Sequence, residues 1–162
     1  SDAAFALRCI SELFSLGLSD DTLAGYAARL GSDCAFFVYN RPMFGSGRGE
    51  VLEDFALGGL DYGQKGAEDC PYKLVVTVPQ GIAVSTADAY RGIVPVVPQT
   101  SLKEILSRPV SSWKDALVND FETTVFAKYP RLAQIKQELY DGGAVYASMS
   151  GSGSSLYAIY AR

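Results

Sequence analysis

The stretch AVYASMSGSGSSLYAIYA, residues 144–161, sets a small, flexible run of Ser and Gly (residues 148–154, broken only by Met149) between two segments that alternate like β-strands. Three readings fit that run: a solvated hairpin loop, a linker, or a cradle of backbone amides for a phosphate. Read as a hairpin it closes the chain, and the second half then runs strand, helices, strand, strand. KLVVTV at residues 73–78 is a compact β-branched run of the kind found in a buried strand, bracketed by Pro71 and Pro79. STADAYRGI (85–93) reads as a short helix capped by Ser85, and VPVVPQT (94–100) as an extended connector. SLKEIL (101–106) carries a capping box of Ser101 and Glu104. Two further helices fit SWKDALVNDFETTVF (112–126) and PRLAQIKQELY (130–140), the latter with Pro130 at its first position and Gly142 past its end.

Upstream of Pro71 the texture is different. Residues 1–20 repeat apolar side chains at Leu7, Ile10, Leu13 and Phe14, one helical face, with Ser1 at the N-cap and a stop at Gly17. Ser19 caps a second helix with Asp20 and Asp21 in its first turn and Leu23, Tyr26, Ala27 and Leu30 on its buried face, ended by Gly31. Ser32 caps a short turn, and RPMFGSGRGEVLEDF (41–55) reads as a hairpin around a Gly-rich reversal. A domain boundary is placed near Pro71.

The totals narrow the chemistry. With 162 residues, 48% hydrophobic and 20% charged, the chain holds one ordinary core or two small ones, which excludes disordered and collagen-like classes. A net charge of -4, with Lys103, Lys114, Lys128 and Lys136 scattered singly, leaves no basic stripe for a nucleic-acid partner. The longest apolar runs, CAFFV and LVV, are far below the ~20 residues that span a bilayer, and no signal pattern opens the chain, so no membrane partner is expected. Cys9, Cys34 and Cys70 are widely spaced without CxxC pairing, as for buried, reduced thiols of a cytoplasmic protein. The chain has no histidine, so Ser-His-Asp and Cys-His nucleophile pairs cannot be completed within it. Chemistry must then run on carboxylates, Lys or Arg, backbone dipoles, or a hard cation brought in with a substrate.

Three stretches have the residues for it. SDAA (1–4) sets a hydroxyl beside the free amides of a helix start, either an ordinary N-cap or an anion site. LGSDCAFF (30–37) presses one carboxylate, Asp33, between a helix stop and an apolar segment, either as the start of a helical turn or as an oriented proton acceptor. MSGSGSS (149–155) is the third, with glycines that serve a tight turn or a phosphate equally well.

Taken in order, LGSDCAFF, GSGRGE, GIAVSTADAYRGI, LVNDFE and MSGSGSSLYAIY resemble the GHMP kinase superfamily. The likeness is to the branch that acts on a cytidine diphosphate derivative of methylerythritol in non-mevalonate isoprenoid biosynthesis, and it runs from Ser1 to the last strand. It implies an α+β fold: residues 1–70 as the rear part of the N-terminal, ATP-binding domain, and residues 71–162 as the ferredoxin-like C-terminal domain. The implied reaction is transfer of the γ-phosphate of ATP, with Mg²⁺, to the 2-hydroxyl of that small-molecule substrate. Asp33 would take the hydroxyl proton. Ser1 and Asp2 would lie at the ATP phosphates, with Ser1 also a Mg²⁺ contact. Tyr90 would stack on the cytosine with Thr86 lining the same pocket, and Gly151, Ser152 and Gly153 would border the place where substrate and phosphate meet. Asn119 and Glu122 are assigned to structure, linking a helix to the active-site face, and Arg48 and Glu50 to shaping the hairpin.

The family's glycine loop and the lysine that pairs with its aspartate would precede Ser1, so the chain reads as the C-terminal part of such an enzyme, expected to be inactive alone. The glycines of residues 148–154 then become a loop beside the phosphate cradle. Two other readings stand next to this one. A kinase for another small alcohol, such as mevalonate or homoserine, is opposed by GRGE and VSTADAY. A non-catalytic binding module is the reading from another class.

Overall fold

The computed structural model describes residues 1–57 and 70–162. They form two compact units, Ser1–Ala56 and Leu57–Arg162.

In the first unit, helices α1 (Asp2–Leu13), α2 (Asp20–Ala28) and α3 (Cys34–Tyr39) precede a hairpin of β1 (Met43–Ser46) and β2 (Val51–Asp54). Ser19 caps α2 as expected, its hydroxyl accepting the Thr22 N–H at 3.2 Å. The buried cluster is Ala4, Leu23, Ala24, Ala27, Ala35 and Val38. Four of these six are alanines, which lets the three helices approach closely, and that packing corrects the expected faces. Leu7 packs against the cluster, but Ile10, Leu13 and Phe14 of the expected α1 stripe are exposed, as are Tyr26 and Leu30 near α2. Periodicity located the helices, whereas the close-approach stripe is the small-residue one. Cys9 is likewise exposed; Cys70 is buried and Cys34 half-buried.

The hairpin forms as read, antiparallel with Met43 opposite Asp54 and Ser46 opposite Val51. Gly47 and Gly49 make the reversal at φ of 68° and 99°, which L side chains rarely adopt. The Glu50 carboxylate accepts the Arg48 N–H at 2.6 Å, and backbone hydrogen bonds hold it below the usual carboxylate range.

The second unit carries β3 (Tyr72–Thr77), α4 (Thr86–Arg91), α5 (Leu102–Ser107), a 3-10 turn (Val110–Ser112), α6 (Phe121–Lys128), α7 (Pro130–Asp141), β4 (Tyr146–Met149) and β5 (Leu156–Ala161). The last three strands in space run β3-β5-β4, all antiparallel, with Ala158 of the central β5 opposite both Val75 and Ala147. This is the mixed α+β architecture expected. One buried cluster joins Ile105, Val110 and Trp113 to Tyr146 and Ile159, and a second joins Ala89, Val125, Leu132 and Ile135 to Met149 and Leu156.

Three local expectations change here. KLVVTV is a strand, yet among the described residues β3 is an edge, and Leu74 is 51% and Val76 61% exposed, so its apolar run is not a sign of burial on both faces. The helix expected over residues 112–126 is interrupted. Trp113 is buried with its indole N–H donating to Arg108 O at 3.1 Å, and Asn119 Oδ1 takes the Phe121 N–H at 3.0 Å, a side-chain cap that restarts the chain as α6. Ser101 caps α5 through the Glu104 N–H, but the Glu104 carboxylate turns to Arg108 at 2.7 Å, so only half of the capping box exists. Among the described residues no helix is long and apolar enough to cross a membrane.

Candidate functional site

In the first unit the chemistry-bearing residues gather around α3. Asp33 occupies the N-cap position of α3, but its side chain makes no capping hydrogen bond. Among the described residues its carboxylate receives only the Ser32 hydroxyl, at 3.5 Å. It lines a 340 Å³ cavity with Phe36, Phe37, Met43, Gly49 and Leu52. The hairpin turn supplies one wall: a Cβ on Gly49 would stand 3.7 Å from Asp33 Oδ1. A carboxylate free of the helix amides, at an apolar-walled cavity, suits a proton acceptor for a hydroxyl brought close to it. Ser1 is nearby, its hydroxyl 3.6 Å from the Cys34 sulfur, next in sequence to Asp33. Ser1 and Asp2 open α1, whose first amides have no intrahelical acceptor.

In the second unit the glycine loop between β4 and β5 folds back on itself, with Ser150 N–H donating to Ser155 O at 2.8 Å and Gly153 N–H to Ser150 O at 3.0 Å. Gly151 and Gly153 have φ of 54° and 90°, the conformation that selects glycine. The loop is seated against the segment that opens α4: Thr86 Oγ1 lies 3.1 Å from Ser152 Oγ, and the Ser154 hydroxyl donates to Ile82 O at 2.7 Å. One turn along α4, on the same helical face as Thr86, the Tyr90 ring is 64% exposed and edge-on to Phe121 at 4.9 Å between centroids. Thr86, Tyr90, Ser152 and the two glycines are thus brought to one neighbourhood. Asp88 keeps α4 on α6 through Lys128 at 2.9 Å and also pairs Arg91; the Lys128 hydrogen bond, chiefly, holds its carboxyl below the usual range.

Asn119 and Glu122 support the loop from beneath. Asn119 Nδ2 donates to Met149 O at 2.8 Å and Gly151 O at 2.9 Å. Glu122, 7% exposed, accepts the Met149 N–H at 2.8 Å and the Ser148 hydroxyl at 3.2 Å, and pairs with Lys136 at 2.5 Å. The linking role read for both residues is present in this geometry. Their partners Lys136 and Ser148 were not singled out from sequence. A signal did exist: Glu122 shares the buried stripe of α6 with Val125, and a carboxylate there requires a cation and donors.

Among the described residues no group of three or more acidic or Cys side chains is placed to hold a metal alone. The Ser1 hydroxyl is a hard oxygen donor of the kind Mg²⁺ takes beside nucleotide phosphates and water.

Residues 101–162 match the family of GHMP kinases C terminal. Over 160 residues the chain is 48% identical to 4-diphosphocytidyl-2-C-methyl-D-erythritol kinase of Bacteroides fragilis, covering 99% of this chain and 54% of that protein. The kinase of the same name from Parabacteroides distasonis is 41% identical over 162 residues, covering 100% of this chain and 56% of its own length. A crystal structure of 4-(cytidine 5'-diphospho)-2C-methyl-D-erythritol kinase superposes with a TM-score of 0.73 at 26% identity, over 97% of this chain and 53% of that one. The chain spans about half the length of the curated relatives it matches. The resemblance carried by the sequence motifs holds.

Proposed function

From a chain that carries the GHMP kinase C-terminal domain at residues 101–162 and matches one such kinase along nearly all of its length, we propose that the parent protein phosphorylates 4-diphosphocytidyl-2-C-methyl-D-erythritol on its 2-hydroxyl, with ATP as donor. The whole-chain similarity to the Bacteroides fragilis enzyme carries this reading. Residues 1–70 are read as the rear of the ATP-binding domain and 71–162 as the C-terminal domain, a division bracketed by the unit boundary after Ala56 and the family match from residue 101. The exposed Cys9 thiol fits a reducing, cytoplasmic setting.

The assigned roles follow from what phosphoryl transfer requires, which is an oriented nucleophile and neutralised charge. The acceptor oxygen attacks the γ-phosphorus, the bond from that phosphorus to the bridging oxygen of ADP breaks, and the acceptor proton passes to Asp33. Mg²⁺ on the nucleotide supplies charge neutralisation, with Ser1 as a contact. Ser1 and Asp2 present the α1 amides to phosphate. Tyr90 offers its exposed ring to the cytosine, and Thr86, Ser152, Gly151 and Gly153 bound the rest of the acceptor.

The test uses the enzyme at the length of its relatives, with ATP, Mg²⁺ and the cytidine acceptor, and phosphorus NMR of the product. A new phosphomonoester on the 2-hydroxyl is expected, with mevalonate and homoserine left unchanged. Turnover of either of those alcohols in place of the cytidine acceptor would overturn the assignment.

A further inference from the structure

Three backbone groups of residues 149–151 are held by side chains from one short segment, residues 119–122. Asn119 donates from Nδ2 to the carbonyls of Met149 and Gly151, one on either side of Ser150, while its Oδ1 accepts the Phe121 N–H. Glu122 accepts the Met149 N–H from the buried side and is itself fixed by Lys136. Between them Phe121 sets its ring against Tyr90.

We propose that residues 119–122 are the positioning device of the acceptor pocket: Asn119 and Glu122 fix the backbone of the glycine loop, Phe121 fixes the Tyr90 ring, and Asn119 ties the two. This rests on the reading of Thr86, Tyr90 and the loop as acceptor-binding. The physical need is specific. Gly151 and Gly153 give the loop its left-handed turns, and glycine also gives it the most freedom to leave them. A binding constellation must be held to within about 0.5 Å to work, so a glycine-rich wall needs an external clamp. Asn119 is suited to this because one amide group faces two ways. Its oxygen serves α6 and its NH₂ serves the loop, so a movement of either is felt by the other. Glu122 adds a charge-assisted bond to Met149, the last residue of β4 and the point from which the loop departs, in a buried setting where losing it leaves both the Met149 N–H and the Lys136 cation unmatched.

The two ends of Asn119 can be separated. Asn119→Asp keeps an oxygen for the Phe121 N–H and so keeps the start of α6, but turns a second oxygen, without hydrogens, on the Met149 and Gly151 carbonyls. In the enzyme at the length of its relatives, amide exchange at Ser150 and Gly153, whose N–H groups are held by Ser155 O and Ser150 O, is expected to speed up about tenfold or more. Acceptor kcat/KM is expected to fall roughly 30-fold, while KM for ATP changes less than about threefold. Asn119→Ser, whose shorter hydroxyl still caps α6 but cannot span both carbonyls, is expected to do the same and serves if the aspartate variant does not fold. Unchanged exchange at the loop in a folded variant overturns the clamp. Faster exchange with acceptor kcat/KM within about twofold of the parent overturns the positioning role. A parent enzyme inert toward the cytidine acceptor overturns the functional reading and the acceptor role with it, and the exchange measurement still decides the clamp.

Discussion

The hydroxyls of Thr86 and Ser152 lie 3.1 Å apart, although 66 positions separate them in sequence. That contact seats the loop between β4 and β5 on the first turn of α4, and Ser154 adds a second tie by donating to Ile82 O in the segment before that helix. Each such bond contributes only about 1 kcal/mol net. Their effect is therefore on where the loop sits more than on whether the unit folds.

The two positive-φ glycines of the loop should respond differently to a side chain. At Gly151, φ is 54° and a Cβ would meet open space, so Gly151→Ala should cost only about 1 kcal/mol of backbone strain. At Gly153 a Cβ would stand 2.8 Å from the sulfur of Met149, a buried side chain, and Gly153→Ala should cost about 2–3 kcal/mol. Denaturant unfolding of the two variants measures the difference, and equal losses would contradict the description of the loop. Gly151→Val should keep the fold and cripple turnover; full activity would return the loop to an ordinary hairpin.

Tyr90 has an exposed ring anchored at one edge by Phe121. Tyr90→Ala should weaken binding of the cytidine acceptor about tenfold, near the upper end of the ~0.5–1.5 kcal/mol that an aromatic pair adds beyond its buried area. Tyr90→Phe should stay close to the parent, because stacking uses the ring and not the hydroxyl. Calorimetric titration with CDP separates these outcomes; unchanged affinity in the alanine variant would remove Tyr90 from the pocket.

The sheet carries a pH dependence on the alkaline side. Burial pushes the hydroxyl of Tyr146 far above its usual range, and the neighbouring Tyr157 adds to it; burial raises Tyr157 and Tyr140 as well. The Tyr146 hydroxyl donates to Leu117 O at 3.0 Å, a bond that requires the proton. Because the folded pKa values are raised, the stability they contribute is fully present below the unfolded value of about 10 and is lost as pH climbs above it. Thermal melts should therefore show Tm falling above about pH 10, with a shallower fall in Tyr146→Phe. A flat profile, or one unaltered by that substitution, would contradict this.

Helix and strand positions in the second half were legible because local chemistry and packing agree there: Pro130 opens α7, Gly142 follows it, and Ser85 caps α4 by accepting the Asp88 N–H. Where they parted, the sequence was less informative. The bulky stripe of Ile10, Leu13 and Phe14 has the helical period, yet Ala4 and Ser11 are the buried positions of α1, since small residues set the distance between helices. The run through Trp113 has helical composition, and only the buried indole and the Asn119 cap, both tertiary choices, break it. Of the candidate site, the motif around Asp33 and the glycine loop could be read from residue order. That Asn119 and Glu122 link a helix to this face was also implied, but the groups they hold in residues 148–151 could not be read, because these depend on which backbone groups the fold leaves in need of partners.

Asp33 turns its carboxylate to a cavity instead of capping α3. Asp33→Asn is nearly isosteric and removes the carboxylate's charge together with its ability to take a proton. In the enzyme at the length of its relatives, kcat with the cytidine acceptor should fall at least about 100-fold while acceptor affinity stays within about tenfold. Near-normal turnover in that variant would contradict the assignment of Asp33 as the base.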